Sequence, residues 1–589
     1  MIDGGACVVS VRRLSRYAIG RIWLFTAVAA VLLIGGYWIM SRRASSESAA
    51  VGSTQLSLMD SGWKYVPGVT PETNGLHVAY LGRAIVQQDG NLGQPNPAIN
   101  IYGTHLRDAN SFTLSATMKD IKGTASLRLY GDVPVVQDEF RVEPKSLELT
   151  LTSKSVTVSL WNGYKNQSLY KQLPTLTQTT ALQLQPSNVI TFQYQGKRTS
   201  MNVNGQQVAT LATNGLFASD VWFGMSAVNT GDSWVLSDLS APATPGVSVV
   251  NMQDMSAYVK TNHGLQALAR HKRPGFLVGA AMTLGPAATD TQYAALAFGG
   301  NFGQLTTENA LKWQFVEPQP NVFDFTEADA LVALAKKNGL VVHGHTLVFG
   351  EANPKWVQDL PIATVADKEH IKQVMVNHIT QIVGHFKGKI ASWDVVNEPL
   401  ADFDAPAAAD GLRQHVWYKA MGASYIATAF TAAHQADPGA KLYLNDFGLE
   451  ENGDRWVALL RLVTQLKSQG VPIDGVGFEA HVYAIGDEID PAILRSHIQT
   501  LAGLGLAVRI SEMDVYDDNG TAAQATQYAD VFNACLSEPN CVSWSTWGIT
   551  DKYDMWQDDN NQMQYGQDIS WDAQAHPTPA YTKIQQSLL

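Results

Sequence analysis

Eight short apolar runs, each followed by a stretch with helical periodicity, occupy the chain from about residue 255 to residue 589. The runs are 276–282, 304–308, 340–348, 390–396, 441–445, 475–481, 507–513 and 541–549. Such alternation predicts a parallel sheet with helices packed outside it. Eight units in this length fit a closed (β/α)8 TIM barrel. A doubly wound open sheet is the alternative fold, but no glycine-rich phosphate loop follows the first run to favour it.

Polar or aromatic side chains gather at the ends of seven of these runs, the place where TIM barrels carry their catalytic groups. They are Glu308, Asn309, His343, His345, Asn397, Glu398, Asn445, Asp446, Glu479, His481, Glu512, Asp514 and Trp547. One carboxylate at a strand end is often a cap or an ion-pair partner. A buried acidic cluster costs several kcal/mol without compensation, so this many groups predict a functional site. Glu398 and Glu512 each end a run, and two carboxylates facing one sugar are what glycosidic bond cleavage needs.

An all-β domain is predicted upstream of the barrel, over residues 56–240. Its segments 111–117, 156–161 and 188–194 alternate apolar and polar residues, as half-buried antiparallel strands do. Asn204-Gly205 between two such segments predicts a tight hairpin turn. We expect a β-sandwich of jelly-roll or lectin-like type.

The aromatic residues of this domain allow two interpretations. They are Trp161, Tyr164, Trp222 and Trp234. They form either a sugar-stacking face, which would make the domain carbohydrate-binding, or part of the core. A proline-rich segment at 240–248 marks the boundary, so the linker is placed at 241–254 and the barrel domain at 255–589.

The first part of the chain predicts a membrane anchor. Residues 22–40 contain no charged side chain, which is long enough for a transmembrane helix. The arginines cluster before it, so residues 1–21 should stay in the cytoplasm and the bulk of the chain should lie on the exported side, in the periplasm or at the cell surface. Residues 41–55 are small and polar, as a tether would be. The alternative is a signal peptide cleaved near Ser48-Ala49-Ala50, which would give a secreted protein.

The net charge and the cysteine and histidine content limit which ligands and partner molecules the chain is expected to bind. The formal net charge is −12, which argues against nucleic acid, since phosphate contacts need clustered Lys and Arg. We see no Cys/His cluster with metal spacing and expect no metal and no cofactor. Cys535 and Cys541 flank a Glu-Pro-Asn turn and are either a disulfide or two unpaired thiols.

Six motifs then lie in order along the predicted barrel. They are TTENALKW (306–313), GHTLV (344–348), WDVVNEP (393–399), LYLND (442–446), ISEMD (510–514) and WGITD (547–551). Together they resemble the glycoside hydrolase family 10 endo-β-1,4-xylanases over about residues 255–589. Nothing before residue 245 shares in the resemblance.

The resemblance implies a retaining endo-β-1,4-xylanase that acts on xylan or xylo-oligosaccharides, with Glu398 as acid/base and Glu512 as nucleophile. Such enzymes hold their two carboxyls about 5–5.5 Å apart. His481 would keep Glu512 ionised, and Asn397 would bind the sugar 2-hydroxyl. The remaining implied substrate-binding residues are Glu308, Asn309, Lys312, His345, Glu479, Trp547 and Trp556. Cys535 and Cys541 fall where the family commonly has a disulfide.

Three departures from the family pattern leave the substrate open. Phe349-Gly350 stands where Trp-His is usual, Glu479 where Gln is usual, and Phe447 where Tyr is common. A third carboxylate near Glu512 would repel its charge and shift its pKa. Besides a xylanase, the chain could therefore be a retaining glycosidase for another β-glycan, such as an exopolysaccharide, or a carbohydrate-binding surface protein without turnover.

Overall fold

The computed structural model describes only part of the chain, and the predicted cytoplasmic segment, membrane helix and most of the tether lie outside that part. The described residues are 55–59, 68–80, 84–86, 92–95, 98–100, 105–107, 111–131, 135–136, 141–143, 145–161, 164–165, 175–217, 221–242, 248–250, 258, 260–402, 408–483, 486, 488–516, 522–553, 570–572 and 574–589. Within these ranges, every helix is too short or too polar to span a bilayer.

The described residues before 251 form β-strands. These are β1 (Gln55–Ser57), β2 (Val69–Glu72), β3 (Gly75–Ala79), β4 (Ala84–Val86), β5 (Leu92–Pro95), β6 (Ala98–Asn100), β7 (His105–Arg107), β8 (Ser111–Lys122), β9 (Ala125–Tyr130), β10 (Val135–Val136), β11 (Arg141–Glu143), β12 (Ser146–Thr152), β13 (Ser155–Trp161), β14 (Tyr164–Lys165), β15 (Leu176–Ala181), β16 (Ser187–Gln195), β17 (Arg198–Val203), β18 (Gln206–Ala212), β19 (Trp222–Ala227), β20 (Ser233–Pro242) and β21 (Ser248–Val250).

Two large antiparallel sheets share one apolar core. An eight-stranded sheet has the order β18-β17-β16-β8-β20-β3-β2, with β1 on β20, and a six-stranded sheet has the order β15-β13-β12-β9-β19-β6. Every second residue of β8 from Phe112 to Met118 is buried, as the alternating sequence predicts. Leu114 and Phe192 of the larger sheet belong to the same buried cluster as Leu127 and Leu149 of the smaller one. The two sheets therefore pack face to face, as in a sandwich.

The turn between β17 and β18 follows from its sequence. The two strands pair antiparallel on either side of Asn204 and Gly205. Both turn residues have positive φ, 52° and 80°, the conformation that Asn-Gly adopts most easily.

The aromatic residues of this region mainly fill cores. Trp234 is fully buried and its Nε1 donates to the carbonyl of Ser226 at 2.8 Å. Trp222 is also buried. Trp161 is half-buried, and its Nε1 donates to Glu148 at 3.0 Å. A stacking face that includes Trp222 and Trp234 is therefore the wrong interpretation; the side chain of Tyr164 lies outside the described part.

The C-terminal region alternates strands and helices. Its strands are β22 (Leu277–Ala281), β23 (Gln304–Thr306), β24 (Val341–Gly344), β25 (Ser392–Asn397), β26 (Lys441–Asp446), β27 (Gly475–Phe478), β28 (His481–Tyr483), β29 (Ala507–Tyr516) and β30 (Cys541–Thr546). Its helices are α1 (Leu265–Lys272), α2 (Leu284–Thr289), α3 (Thr291–Phe298), α4 (Trp313–Val316), α5 (Thr326–Lys337), α6 (Lys355–Gln358), α7 (Val365–His385), α8 (Val416–Met421), α9 (Ser424–Ala436), α10 (Asp454–Ser468), α11 (Pro491–Gly503), α12 (Ala522–Ser537) and α13 (Pro579–Leu588), with a 3₁₀ turn at Asp551–Tyr553.

Eight of these strands close into a parallel barrel. Each pairs with the next, β27 pairs with β29, and β30 returns to pair with β22. Short β28 lies beside β29 only. The predicted (β/α)8 barrel is thus confirmed and the open-sheet alternative is wrong, because a sheet whose last strand pairs with its first has no edges.

The longest helix illustrates how the sequence sets the outer ring. Thr364 caps α7 by accepting from the backbone N–H of Asp367, whose side chain accepts from Thr364 in return. Apolar residues three and four apart then form the buried face, namely Ile371, Met375, Ile379 and Ile382. Helices of this kind leave only the strand ends open at the barrel mouth.

Candidate active site

The predicted site residues meet at the carboxyl ends of the barrel strands. Glu398 directly follows β25, Glu479 follows β27, and His481 begins β28. Glu512 lies in the second half of β29, and Trp547 directly follows β30. Because all eight strands run parallel, these positions share one face of the barrel.

Glu512 is buried among donors. Its Oε1 accepts from Nδ2 of Asn445 at 2.7 Å and lies 3.7 Å from Nδ1 of His345. Its Oε2 lies 3.4 Å from Nε2 of His481. Burial opposes the charge of this carboxyl, but the two histidines outweigh burial and hold the pKa of Glu512 below its usual range. Glu512 is therefore ionised at neutral pH.

A second carboxylate fixes the orientation of His481. The ring Nδ1 lies 2.8 Å from both oxygens of Asp514, so Nε2 points toward Glu512. Burial works against protonation of this ring, yet Asp514 and Glu512 raise the pKa of His481 well above its usual value. The imidazolium therefore supplies a positive charge beside the carboxylate of Glu512.

Glu398 has the opposite environment. Its backbone is left-handed, with φ of 47°, a conformation that costs free energy for a residue other than glycine and is concentrated at functional sites. Its Oε2 lies 3.0 Å from Nη2 of Arg413, and its Oε1 accepts from Nδ2 of Asn397 at 3.4 Å. Burial outweighs the attraction of Arg413, and Glu351 adds repulsion, so the pKa of Glu398 rises to about 8. Glu398 therefore carries a proton at neutral pH.

Asn445 forms a hydrogen bond with each of the two glutamates. The backbone carbonyl of Asn445 accepts from the N–H of Glu398 at 2.8 Å, while its side-chain amide donates to Glu512. Opposite pKa shifts on neighbouring carboxyls are the arrangement that separates an acid from a nucleophile.

The predicted sugar-binding residues line the same mouth. Glu308 and Asn309 are buried after β23, and Nδ2 of Asn309 donates to Oε1 of Glu308 at 3.3 Å. The ammonium of Lys312 lies 5.8 Å from the ring centroid of Trp547, and the ring of His345 lies 5.1 Å from it. Trp547 thus connects this wall to the histidines around Glu512. Trp556 lies outside the described residues.

Several residues at the centre were not assigned by the sequence. Asn445 was noted only as a strand-end residue, and the signal for it was its position at the end of β26. Asp394 accepts from His345 at 3.0 Å and lies 2.8 Å from His343. Asp394 lies in β25, three residues before Asn397, and the sequence signal for it was its place in the WDVVNEP motif. Arg413 lies between β25 and α8, in a segment whose sequence has no regular pattern to indicate it.

The structure shows what the residues at and next to the departures from the family pattern contact. The carbonyl of Phe349 accepts from Nε1 of Trp417 at 2.8 Å. Glu351, the residue that follows Phe349-Gly350, lies 3.3 Å from Nη1 of Arg413, so a negative charge lies next to the partner of Glu398. The ring of Phe447 packs under Arg455, 3.9 Å from its guanidinium carbon. Arg455 in turn pairs with Asp446.

The cysteines lie away from the site. Cys535 in α12 and Cys541 at the start of β30 are joined by a disulfide, at the end of that strand opposite to Trp547. The bridge therefore closes the connection between the helix and the strand at the bottom of the barrel.

Among the residues that the structure describes, two groups of histidine and carboxylate side chains have the spacing of cation ligands. They are His345 with Asp394 and Glu512, and Glu479 with His481 and Glu512, each with ligand atoms within 4.8 Å of one another. A doubly protonated imidazole such as that of His481 offers no lone pair to a metal. We therefore interpret the group that contains His481 as a network of charges around Glu512; in the other group, His345 lies 3.0 Å from Asp394 and 3.7 Å from Glu512.

A closed (β/α)8 barrel with one protonated and one ionised carboxyl at its mouth defines a TIM-barrel glycoside hydrolase. Comparison with known families places the chain more narrowly. The model of glycosyl hydrolase family 10 matches residues 265–587, and the chain belongs to that family.

Named relatives agree with this assignment. Endo-1,4-beta-xylanase C of Phanerodontia chrysosporium is 36% identical over 303 residues, which cover 50% of this chain and 72% of the relative. The endo-1,4-beta-xylanase of Agaricus bisporus is 34% identical over 51% of this chain and 87% of its own length. Among solved structures, native xylanase 10B of Thermotoga maritima matches with a TM-score of 0.50 and 33% identity, over 55% of this chain and 98% of that one. Xylanase 10B of Thermotoga petrophila in complex with xylobiose matches with the same TM-score and identity.

Proposed function

We propose that this protein is a retaining endo-1,4-β-xylanase that hydrolyses internal β-1,4-xylosidic bonds of xylan or xylo-oligosaccharides. The observation that carries the proposal is the opposite protonation of Glu398 and Glu512 at one barrel mouth. The relatives are named endo-1,4-beta-xylanases, and one similar structure holds xylobiose.

In the first step, Oε2 or Oε1 of Glu512 attacks the anomeric carbon while Glu398 gives its proton to the glycosidic oxygen. The bond to the leaving sugar breaks and a glycosyl ester of Glu512 forms. In the second step, Glu398, now a carboxylate, takes a proton from water as the water attacks the same carbon. The ester breaks, Glu512 is released ionised, and Glu398 is protonated again.

The surrounding residues support each step. The imidazolium of His481 and the amide of Asn445 stabilise the charge of Glu512 before attack and after release. Asn397, beside Glu398, is placed to bind the sugar 2-hydroxyl. Glu308, Asn309, Lys312 and His345 would hold the glycone sugar, with Trp547 as its stacking face.

The test is release of reducing sugar from arabinoxylan, cellulose and mixed-linkage glucan by the full chain and by residues 51–589. Glu398→Ala is the blank, because it removes the proton donor and leaves the fold. Release mainly from arabinoxylan, lost in the variant, is the expected result. No release from any of the three, together with retention on insoluble xylan, would instead indicate a binding protein.

A second substrate class has one specific observation in its favour. Glu351 and Arg413 form an ion pair beside Glu398. Glu351 directly follows Phe349-Gly350, which stands where family members usually carry Trp-His. A cleft altered at this point could accept a different β-glycan, such as an exopolysaccharide. Activity on that glycan with little on xylan would support this alternative.

We also propose that residues 22–40 anchor the enzyme in the membrane with its barrel on the exported side. The uncharged segment and the arginines before it support this orientation. Fractionation of cells that produce the full chain tests the proposal: the anchored enzyme stays with membranes after salt washing, whereas cleavage near residue 50 gives a shorter soluble product.

A further inference from the structure

Three acceptor groups compete for one amide at the centre of the site. Nδ2 of Asn445 lies 2.7 Å from Oε1 of Glu512, 3.0 Å from Oε1 of Glu479 and 2.8 Å from Oδ1 of Asn397. An amide nitrogen has two hydrogens and cannot serve three acceptors fully. The carboxyl of Glu479 is 2% exposed, so water cannot make up the difference.

The second oxygens of the two carboxyls also converge. Oε2 of Glu512 lies 3.4 Å from Nε2 of His481, and Oε2 of Glu479 lies 3.8 Å from the same nitrogen. That nitrogen has a single hydrogen, and Glu512 is the nearer acceptor. If Glu479 and Glu512 were both ionised, their Oε1 atoms would share the NH₂ of Asn445 and their Oε2 atoms would share the single N–H of His481.

We propose that Glu479 acts as a neutral carboxylic acid, a positioning residue that brings a proton to the side of Glu512 and leaves the nucleophile as the one ionised carboxylate of this pair. The inference rests on the proposed glycosidase function for its catalytic meaning. It goes beyond that function because it assigns a protonation state and a role to a residue that departs from the family pattern.

The carboxyl groups around Glu479 support this assignment. It faces Glu398 beyond β25, Asp446 at the end of β26, Glu450 in the loop after it, and Glu512 on β29. The cation next to it is His481, which already faces both Asp514 and Glu512.

Two further cations of the site have partners of their own. Arg413 pairs with Glu398, and Arg455 pairs with Asp446. Burial first, and then repulsion from Glu512 and Glu398, raise the pKa of Glu479 well above its usual value.

A neutral Glu479 allows Glu512 to stay ionised while Glu398 stays protonated. An oxygen of Glu479 lies within 4.8 Å of an oxygen of Glu512, so the proton of Glu479 can be turned toward the carboxylate that Nε2 of His481 also faces. An ionised Glu479 would repel Glu512 and raise the pKa of that carboxyl, and it would raise the pKa of Glu398 as well. The neutral acid thus does what an amide would do at the same position.

Glu479→Gln separates the two states through the pH dependence of kcat/KM on an aryl β-xylobioside. If Glu479 is neutral, the variant exchanges one uncharged donor for another. We then expect kcat/KM within about tenfold of wild type and both limbs of the pH profile unmoved. If Glu479 is ionised, its removal lowers the pKa of Glu512 and of Glu398, and both limbs move down by about one pH unit. That shift would overturn the inference.

Infrared spectroscopy detects protonated carboxyl groups directly, and the measurement does not require enzyme activity. The carbonyl band of protonated carboxyls at neutral pH should lose intensity in Glu479→Gln, and Glu479→Asp should retain a band at a displaced frequency. Glu450→Gln is the matched control, because Glu450 is also buried and its pKa is also raised. Its substitution should remove a different band. An unchanged band of protonated carboxyls in Glu479→Gln would show that Glu479 is ionised and would overturn the inference.

The two measurements distinguish failure of the inference from failure of the proposed function. If the wild-type protein hydrolyses no β-xyloside, the function fails, while the infrared difference still decides whether Glu479 is protonated. If the protein is active and the difference is absent, the inference fails alone.

Discussion

The side-chain amide of Asn445 donates a 2.7 Å hydrogen bond to Oε1 of Glu512. The same residue accepts the backbone N–H of Glu398 at 2.8 Å, and its Oδ1 accepts from Ser511 at 2.6 Å. Asn445 is fully buried at the end of β26, so these bonds fix its orientation. Asn445 thereby sets the position of Glu512 relative to Glu398.

Asn445→Ala should lower kcat by about 10²-fold, the usual cost of removing one preorganised donor from a charged catalytic group. The value of KM should change little, because the amide contacts the catalytic carboxyl and the reaction needs it most when charge moves. Steady-state kinetics on an aryl β-xylobioside measure both constants. A variant with wild-type kcat would contradict the positioning role.

Glu512→Ala should abolish turnover, and added azide should restore part of it by forming an α-xylosyl azide. The reason is that the small anion occupies the place of the lost carboxylate and attacks from the same side. In Glu398→Ala, azide should replace the base instead and give the β-azide. Product analysis by NMR distinguishes the two; an α-azide from Glu398→Ala would show that the roles are exchanged.

Activity of the wild-type enzyme on xylan should fall as pH rises through about 8, because Glu398 must be protonated to act as an acid and its pKa is raised to about 8. Arg413→Met removes an attraction that lowers this pKa, so its alkaline limb should move up by about one unit. Arg413→Lys keeps the charge and is the control.

Glu351→Gln should move the same limb in the opposite direction, since Glu351 raises the pKa of Glu398. The measurement is kcat/KM of each variant across pH 6–10. Limbs that move together in Arg413→Met and Glu351→Gln would contradict the electrostatic explanation.

The Cys535–Cys541 disulfide should stabilise the barrel without affecting catalysis. It closes a short loop, with a sequence separation of 6, so chain entropy predicts a loss of about 2 kcal/mol when both cysteines become serine. Thermal unfolding should show a lower Tm, with kcat unchanged at moderate temperature because the bridge lies at the far end of β30 from Trp547. Cys7→Ser is the control. An unchanged Tm would mean that the loop is ordered without the bridge.

Much of the barrel could be predicted because its signals are local. Apolar runs of strand length and helical periodicity depend on neighbours within a few residues, and each of the eight predicted runs overlaps a barrel strand. The site residues at the strand ends follow from the same pattern, since parallel strands present their carboxyl ends on one face. The sequence left open whether Trp222 and Trp234 form a stacking face or fill the core, because alternation in a strand does not tell which face of a sheet is covered; both side chains are buried.

The sequence by itself determined the barrel, the pair Glu398 and Glu512, and most residues around them, because period and motif are written along the chain. The tertiary structure decided which groups act on those two carboxyls. Arg413, Asp394 and Asn445 come from other elements, and their distances exist only after the barrel closes. Protonation followed from the same closure, since a pKa depends on burial and on charges a few ångströms away, and neither can be read from position in the sequence.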